Sequence, residues 1–441
     1  MADKMLSVLD LPIIAVGQIL SFLSWEDKIS VSSAVPLWNS VLQSSSSWHF
    51  VVYENELVEN VYFIPEKRKR FLRCIKKFGN HMKYISVDFG FEGHDGLTIL
   101  KAISDYCINL KGFTINKEWE TGNRGIDLDV YAIEHICNIL KKCVKLQSVA
   151  VNYCDNEFDF EEDVGLLGYI IDQNLAHKIT QLEISCNLFY DNFKLGDFQL
   201  LTKFSNLKKL RVRREIMTSE LLLKLVNSSL TELTLVQEEE LPFTHQNDLN
   251  TDFWKNVVTK QPNFKVDLVM RYIMVIKENF PPVMPLRSLV LDDLANILTK
   301  GVLDHVIDCY YATLKTFIYT NSLLENNEAG DKRLPYVLVD MLKRCPNLTS
   351  LQYGFPLSST SVLMIARAKK LKSLILLGVE ISYENDWPNN LNFTPEFLHW
   401  LKECGSSQSK LEETVSRLQD RDWKLTYDPF TLDDRLNSLI V

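Results

Sequence analysis

Residues 207–212 read Leu207-Lys208-Lys209-Leu210-Arg211-Val212, and this hexad decides the fold because it recurs. The same Leu-x-x-Leu-x-Leu-like spacing occurs at Met82/Ile85/Val87, Leu110/Phe113/Ile115, Leu146/Val149/Val151 and Ile179/Leu182/Ile184. It returns at Leu230/Leu233/Leu235, Leu286/Leu289/Leu291, Leu314/Phe317/Tyr319, Leu348/Leu351/Tyr353 and Leu371/Leu374/Leu376. Around Phe264 one more copy runs out of phase, with Phe264, Val266 and Leu268 alternating. The first apolar residue of a hexad enters the core at a turn. The last two alternate inward from a short strand, so the residues between them face outward.

Successive copies start 22 to 36 residues apart, an interval that suits one strand plus one helix per unit, as in the longer leucine-rich repeats. Val130–Leu140, Glu220–Val226 and Val337–Leu342 carry apolar residues at helical spacing. The last of these is followed by Lys343-Arg344-Cys345-Pro346-Asn347, a basic last turn and then a proline that stops the helix before the next strand. Such units must stack, because one alone cannot bury its apolar face. A doubly wound α/β domain also alternates strands and helices, but its strands are near-continuous Val/Ile runs instead of an offset hexad. The fold class expected is α/β, with a curved parallel sheet in a leucine-rich-repeat solenoid. About eleven degenerate units would span 81–391, ahead of a C-terminal cap or tail at 392–441.

The N-terminal segment has another pattern. Leu-Asp-Leu-Pro stands at 9–12, Ile-Leu-Ser-Phe-Leu at 19–23, then come Asp27, Trp38 and Trp48. Val16, Ile19, Leu20 and Leu23 form one helical stripe, Glu26 and Asp27 suit the first turn of a second helix, and Pro36 ends it. Two or three helices in forty residues are too small to hold a core alone.

This segment resembles the F-box, the module by which substrate receptors dock on the Skp adaptor of SCF-type ubiquitin ligases. The resemblance rests on Leu11-Pro12, on Ile19-Leu20-Ser21-Phe22-Leu23, on Asp27, and on Trp38 and Trp48 at the family's offsets without a gap. Ile14 stands where the family carries an acidic residue, and Val35-Pro36 where it carries Cys-Arg. An F-box followed by such repeats is similar to the F-box/leucine-rich-repeat receptors, and the variable interval to the F-box-only branch with degenerate repeats. The resemblance implies an F-box at 1–50, a helical linker or cap at 51–80, and a non-catalytic receptor subunit. Its partners would be the Skp adaptor, through it a cullin, and an unidentified protein substrate. Adaptor anchors would be Leu11, Pro12, Ile19, Leu20, Phe22, Leu23, Asp27, Trp38 and Trp48. An alternative is a non-degradative repeat scaffold with a vestigial F-box.

Composition narrows the class. The 441 residues carry a net charge of −9, which argues against nucleic-acid binding, since phosphate neutralisation needs surplus Lys and Arg. Lys67-Arg68-Lys69-Arg70 reads as a solvated helix face. No leader precedes Met5 and no apolar run reaches membrane-spanning length, so no membrane partner and a cytoplasmic or nuclear location are expected. The nine cysteines show no Cys-x-x-Cys pair and read as reduced, mostly buried thiols.

Motifs for catalysis or cofactors do not emerge: there is no phosphate loop, no Gly-x-Ser-x-Gly elbow and no His-Glu-x-x-His helix. Gly90, Gly93 and Gly96 read as a glycine-rich turn, Asp155–Asp163 as an excursion loop and Glu238-Glu239-Glu240 as a solvated loop. No enzyme activity, cofactor or metal is expected. Outward residues on the strands are the candidate substrate surface. Lys209, Arg211 and Arg213, with Arg214 beside them, would form a basic row for an acidic partner, flanked by Glu183 and Glu232. Ile318 and Ile375 would form a more apolar alternative, with Trp400, Trp423, Tyr427 and Phe430 as its cover or as a seal on the last repeat.

Overall fold

The computed structural model describes residues 11–53, 66–88, 93–116, 130–153, 166–186, 195–238, 249–320, 334–376, 381–383 and 393–426. Asp155–Asp163, Glu239, Glu240, Gly90, Tyr427 and Phe430 lie outside these residues. The chain forms two compact units. One runs to Val212 and includes Asn227–Leu230; the other holds Arg213–Val226 and the residues from Thr231 onward.

The first unit begins with helices α1 (Ile13–Ser21), α2 (Trp25–Ala34) and α3 (Asn39–Leu42). Strands β1 (Phe50–Tyr53), β2 (Tyr84–Asp88), β3 (Gly112–Asn116), β4 (Ser148–Tyr153), β5 (Gln181–Cys186) and β6 (Lys209–Arg213) follow. They pair in chain order and all in parallel, which excludes the strand-order reversal of a doubly wound sheet. Between them run α4 (Glu66–Phe78), α5 (Gly93–Tyr106), α6 (Val130–Lys142), α7 (Leu166–Asp172) and a 3₁₀ helix at Leu195–Lys203. Val51, Ile85, Phe113, Val149, Leu182 and Leu210 are register partners, and none is more than 3% exposed. The hexad's central apolar position is thus a continuous buried row.

The sheet starts earlier than the hexads do. β1 lies in the stretch expected to be linker, and its alternation places Val51 and Tyr53 inward, with Tyr53 stacked on Phe71 of α4 at 4.5 Å. Trp48, Val51 and Tyr53 keep the hexad spacing and are all buried, but a tryptophan holds the leading position, so the strand does not read as a leucine hexad.

After β6 comes α8 (Ser219–Ser228). The second unit holds β7 (Glu232–Gln237), α9 (Thr251–Lys260), β8 (Lys265–Arg271), β9 (Leu286–Asp292), α10 (Lys300–Tyr310) and β10 (Thr316–Thr320). It continues with α11 (Leu334–Arg344), β11 (Ser350–Tyr353), β12 (Leu357–Ser358), α12 (Ser359–Ala368), β13 (Ser373–Leu376) and β14 (Ile381–Ser382). β7 through β11 and then β13 pair in parallel in chain order, while β12 and β14 make a small parallel pair of their own. Leu235, Leu268, Leu289, Phe317, Leu351 and Leu374 form the buried row here, at most 4% exposed.

The out-of-phase copy has a structural counterpart. Val266 and Leu268 are two residues apart, whereas Leu286 and Leu289 opposite them are three apart, so the register shifts between Val266 and Asp267. A β-bulge absorbs the extra residue. The connection at 272–285 also departs from one helix per unit: it is too short for an outward helix and return, and carries a 3₁₀ turn at Lys277–Asn279.

Helices α13 (Pro395–Cys404) and α14 (Gln408–Gln419) close the second unit. Trp423 is buried and donates from Nε1 to the Leu374 carbonyl at 2.9 Å, while Trp400 is half-buried against Phe397. Gln419 does more. Its Oε1 accepts from Leu371 N–H at 2.9 Å, and its Nε2 donates to the carbonyls of Ala366 (2.8 Å) and Lys369 (3.1 Å). One buried amide thereby satisfies three backbone groups at the approach to the last long strand. Gln419→Ala should destabilise the second unit by about 1–3 kcal/mol, because those groups are left unpaired away from water; chemical denaturation of the full chain measures it.

Candidate functional site

The N-terminal helices are positioned by what they bury. α1 starts at Ile13 behind Pro12, whose φ of −56° is preset for a helix entry, and buries Val16, Gly17 and Leu20 on one face. Gly17 lets α1 approach closely: a Cβ there would meet Ser46 Oγ at 3.3 Å and Val41 Cγ1 at 3.6 Å. Other apolar side chains on and beside α1, and in the turn after α2, are left to solvent. Ile13 is 71% exposed, Ile14 81%, Phe22 88% and Leu37 73%, with Leu11 and Ile19 also exposed. Pro12 is exposed, and Leu23 and Trp38 are half-buried.

Two of the expected anchors are corrected. Leu20 and Trp48 are both 0% exposed, so they form the interior of the module instead of its surface. Trp48 stacks on Phe78 of α4 at 4.8 Å and donates from Nε1 to the Leu42 carbonyl at 2.7 Å. Trp25 packs on Phe71 at 5.0 Å. The module is therefore completed by α4. Asp27 acts locally as well: Ser24 Oγ accepts from Asp27 N–H and donates to its Oδ2, both at 3.0 Å, which caps α2.

The basic row on β6 is not a free surface. Arg211 pairs with Glu183 at 3.1 Å. Arg213 has 2% side-chain exposure and reaches Glu215 at 3.3 Å and Glu238 at 3.4 Å. Arg214 is buried and donates to Gln237 Oε1 at 2.7 Å. Lys209 stays half-buried. Strand alternation aims the β6 side chains correctly, but the neighbouring carboxylates neutralise Arg211 and Arg213. Glu183 does so as expected. Glu232 instead pairs with Lys265 (3.1 Å) and Arg287 (3.0 Å). Arg287 also forks onto Asp267, and these bonds hold its guanidinium firmly protonated.

The apolar alternative is likewise corrected at Ile318, which is 6% exposed and clusters with its register neighbours Val236, Val269 and Val290. In-register β-branched residues one strand apart bury one another. Ile375 remains half-buried, and Gln352 between the two is buried. Sequence reading missed residues 272–276. There Ile273 and Val275 turn inward while Tyr272, Met274 and Ile276 are exposed, and Asn296 clamps Val275 through both backbone groups at 2.8 and 3.1 Å.

The buried thiols carry no reactive chemistry. Cys143 donates to the Cys107 carbonyl at 3.1 Å, and burial pushes Cys143 and Cys345 up to about 11 and Cys74 to about 12. Among the described residues no group of His, Cys, Asp or Glu is arranged to hold a metal ion, and no helix is long and apolar enough to cross a membrane.

No family model matches the chain, and no curated protein does. Among solved structures, the leucine-rich repeat-containing protein LegL7 from Legionella pneumophila is similar to it at 11% identity, with a TM-score of 0.37. The match covers 79% of this chain and 94% of that one.

Inside the module Lys28 is fully buried, its ammonium 5.3 Å from the Trp48 ring centroid and without a hydrogen-bond partner among the described residues. Burial lowers its pKa to about 8, below its ordinary value near 10.5. An unfolded lysine holds its proton to a higher pH, so the charge opposes folding most fully below pH about 8. The opposition fades between that value and about 10.4. Lys28→Met should therefore raise the melting temperature at neutral pH, and the gain should shrink on going from pH 8 to 10. Paired thermal melts across that range test the sign.

Proposed function

We propose that the N-terminal helices dock this chain on a Skp-type adaptor, and that the repeat array acts as the substrate-recognition part of an SCF-type ubiquitin ligase. The observation that carries this reading is the exposed face of the helical module. Ile13, Ile14 and Phe22 stand out on or beside α1, and Leu37 beside the α2–α3 junction, although the same segments bury Val16, Leu20, Trp25 and Trp48. Large exposed side chains gathered on so short a segment mark an interaction surface, because scattered singly they would need no explanation. Interfaces concentrate energy in a few such residues. The spacing of Leu11-Pro12, Ile19–Leu23 and Asp27 supports an F-box as the identity of the surface.

In this reading Leu11, Pro12, Ile19, Phe22 and Leu23 contact the adaptor, joined by Ile13, Ile14 and Leu37. Leu20, Trp48 and Asp27 hold the module in shape. Trp38, half-buried in the 3₁₀ turn Pro36–Trp38, borders the surface. The chain itself performs no chemistry and holds a protein substrate near a charged conjugating enzyme.

The test uses purified full chain and Skp adaptor. Ile13→Asp with Phe22→Asp should weaken adaptor binding by more than about tenfold, since each introduces a charge into a desolvated contact. Folding should persist, because both side chains face solvent. Unchanged affinity in that variant, or no adaptor binding by the parent chain, would overturn the assignment. Substrate half-life after depletion of the protein then separates degradation from recruitment.

A further inference from the structure

We propose that the first unit carries a docking edge for an acidic, partly apolar protein segment, along the line where its helices end and its strands begin. This edge is argued from its own geometry and does not depend on adaptor binding. Five turns lead into β2 through β6, at 76–84, 106–112, 141–148, 173–181 and 203–209. Together they hold eleven lysines and two histidines in a chain whose net charge is −9, with Asp105 and Asp172 the acidic residues at the helix ends just before the second and fourth.

The backbone brings these turns side by side. Lys111 N–H donates to the Lys83 carbonyl at 2.7 Å, Gln147 to Lys111 at 2.9 Å, Thr180 to Gln147 at 2.8 Å and Lys208 to Thr180 at 2.8 Å. Side chains continue the line: Asn109 donates to Asn80 Oδ1 at 2.6 Å, and Asn206 to the His177 carbonyl at 2.6 Å. The lysines therefore stand at strand spacing along one edge.

Helix-end complementarity accounts for part of the charge. Lys76, Lys77, Lys141 and Lys142 occupy the last turns of α4 and α6, where cations offset the carbonyl ends. It does not account for Lys83, Lys111, Lys145, Lys208 and Lys209, which lie beyond the helix ends, while Lys178 closes the 3₁₀ turn Ala176–Lys178. Lys142 meets Asp105 at 3.1 Å and Lys145 the neutral Asn109 at 3.2 Å.

The same edge exposes Tyr106, Ile108 and Val144, the last to 68%. Val144 and Leu146 belong to a cleft of about 310 Å³ whose rim includes His177, Lys178 and Lys208. Val144 is the exposed apolar side chain in a cleft otherwise lined by amides, a hydroxyl and cations, and together with Tyr106 and Ile108 beside it this fits a peptide that mixes carboxylates with aliphatic side chains. Nucleic acid fits less well. The five turns contain no arginine for phosphate forks, and their exposed large apolar side chains are one tyrosine and two aliphatics. From β2 to β6 the line spans about 19 Å at strand spacing, the reach of about six extended residues.

The experiment measures fluorescence anisotropy of a labelled peptide of alternating Glu and Leu, about twelve residues long, with purified full-length protein. Binding should weaken with salt, and Lys111→Glu, Lys178→Glu and Lys208→Glu combined should reduce affinity by at least about tenfold. Val144→Ser should cost about threefold while leaving the salt dependence intact. The corresponding Lys→Gln variants, checked by circular dichroism, supply the comparison if the reversed charges impair folding. Phe22→Asp should bind the peptide normally, which separates this edge from the adaptor surface. Equal affinity in the lysine variants and the parent chain overturns the proposal. So does tighter binding of oligouridylate or of phosphatidylserine vesicles than of the peptide.

Discussion

A parallel strand in this protein is stable only against its neighbours. Each strand buries a central apolar side chain between the same position of the strand before and the strand after, as Phe113 lies between Ile85 and Val149. The backbone ladder fixes that register, and the leading residue of each hexad then drops into the core at the turn. Everything else is arranged around this constraint. The first strand needs α4 and the N-terminal module beside it, and the last long strand needs Trp423 and Gln419. Where one copy is a residue short, at Val266, a bulge keeps the buried row continuous instead of letting the register slip. A slip of one residue would turn the whole row outward, so the local irregularity is the less costly outcome.

That constraint also explains which parts of the structure were legible in the sequence. All the hexads, including the out-of-phase copy at Phe264, fall on parallel strands, because the spacing between core positions is set by backbone geometry. The first strand was hidden because a tryptophan, Trp48, stands in the leading position of its hexad and also fits the N-terminal pattern. The 3₁₀ helix at Leu195–Lys203 and the short connection at 272–285 were hidden because unit length, not residue type, decides whether an α-helix fits. Gln419 left no trace at all: a polar residue near a helix end gives no sign that three backbone groups converge on it.

Burial of the site residues was harder to read. Alternation says that Arg213 and Ile318 leave the helix-side core, and it is silent on what meets them there. Arg213 finds Glu215 and Glu238, and Ile318 finds Val290 in its own row. Glu238 and Val290 are distant in the sequence from their partners, and Glu215 lies in a short 3₁₀ turn whose course no periodicity encodes. The exposed helical face is the contrasting case. Ile13, Ile14 and Phe22 lie within a segment already marked by spacing, but the same spacing could not separate them from Leu20, which is buried although it shares a helical stripe with Ile13.

The division of labour within the N-terminal module follows from its size. Three short helices cannot enclose the apolar side chains they carry, so the side chains sort into two groups. Trp25, Trp48 and Leu20 go inward, where Phe71 and Phe78 of α4 meet the two tryptophans, and the ammonium of Lys28 is enclosed with them. A buried, unpartnered cation costs stability, which the surrounding aromatic packing must offset. Had the outer face also been polar, the module would read as a simple end cap for the sheet. Its isoleucines and phenylalanine instead remain in water, and that unfavourable exposure is relieved when a second surface covers them. The sheet end is sealed from one side of α1, while the other side stays available.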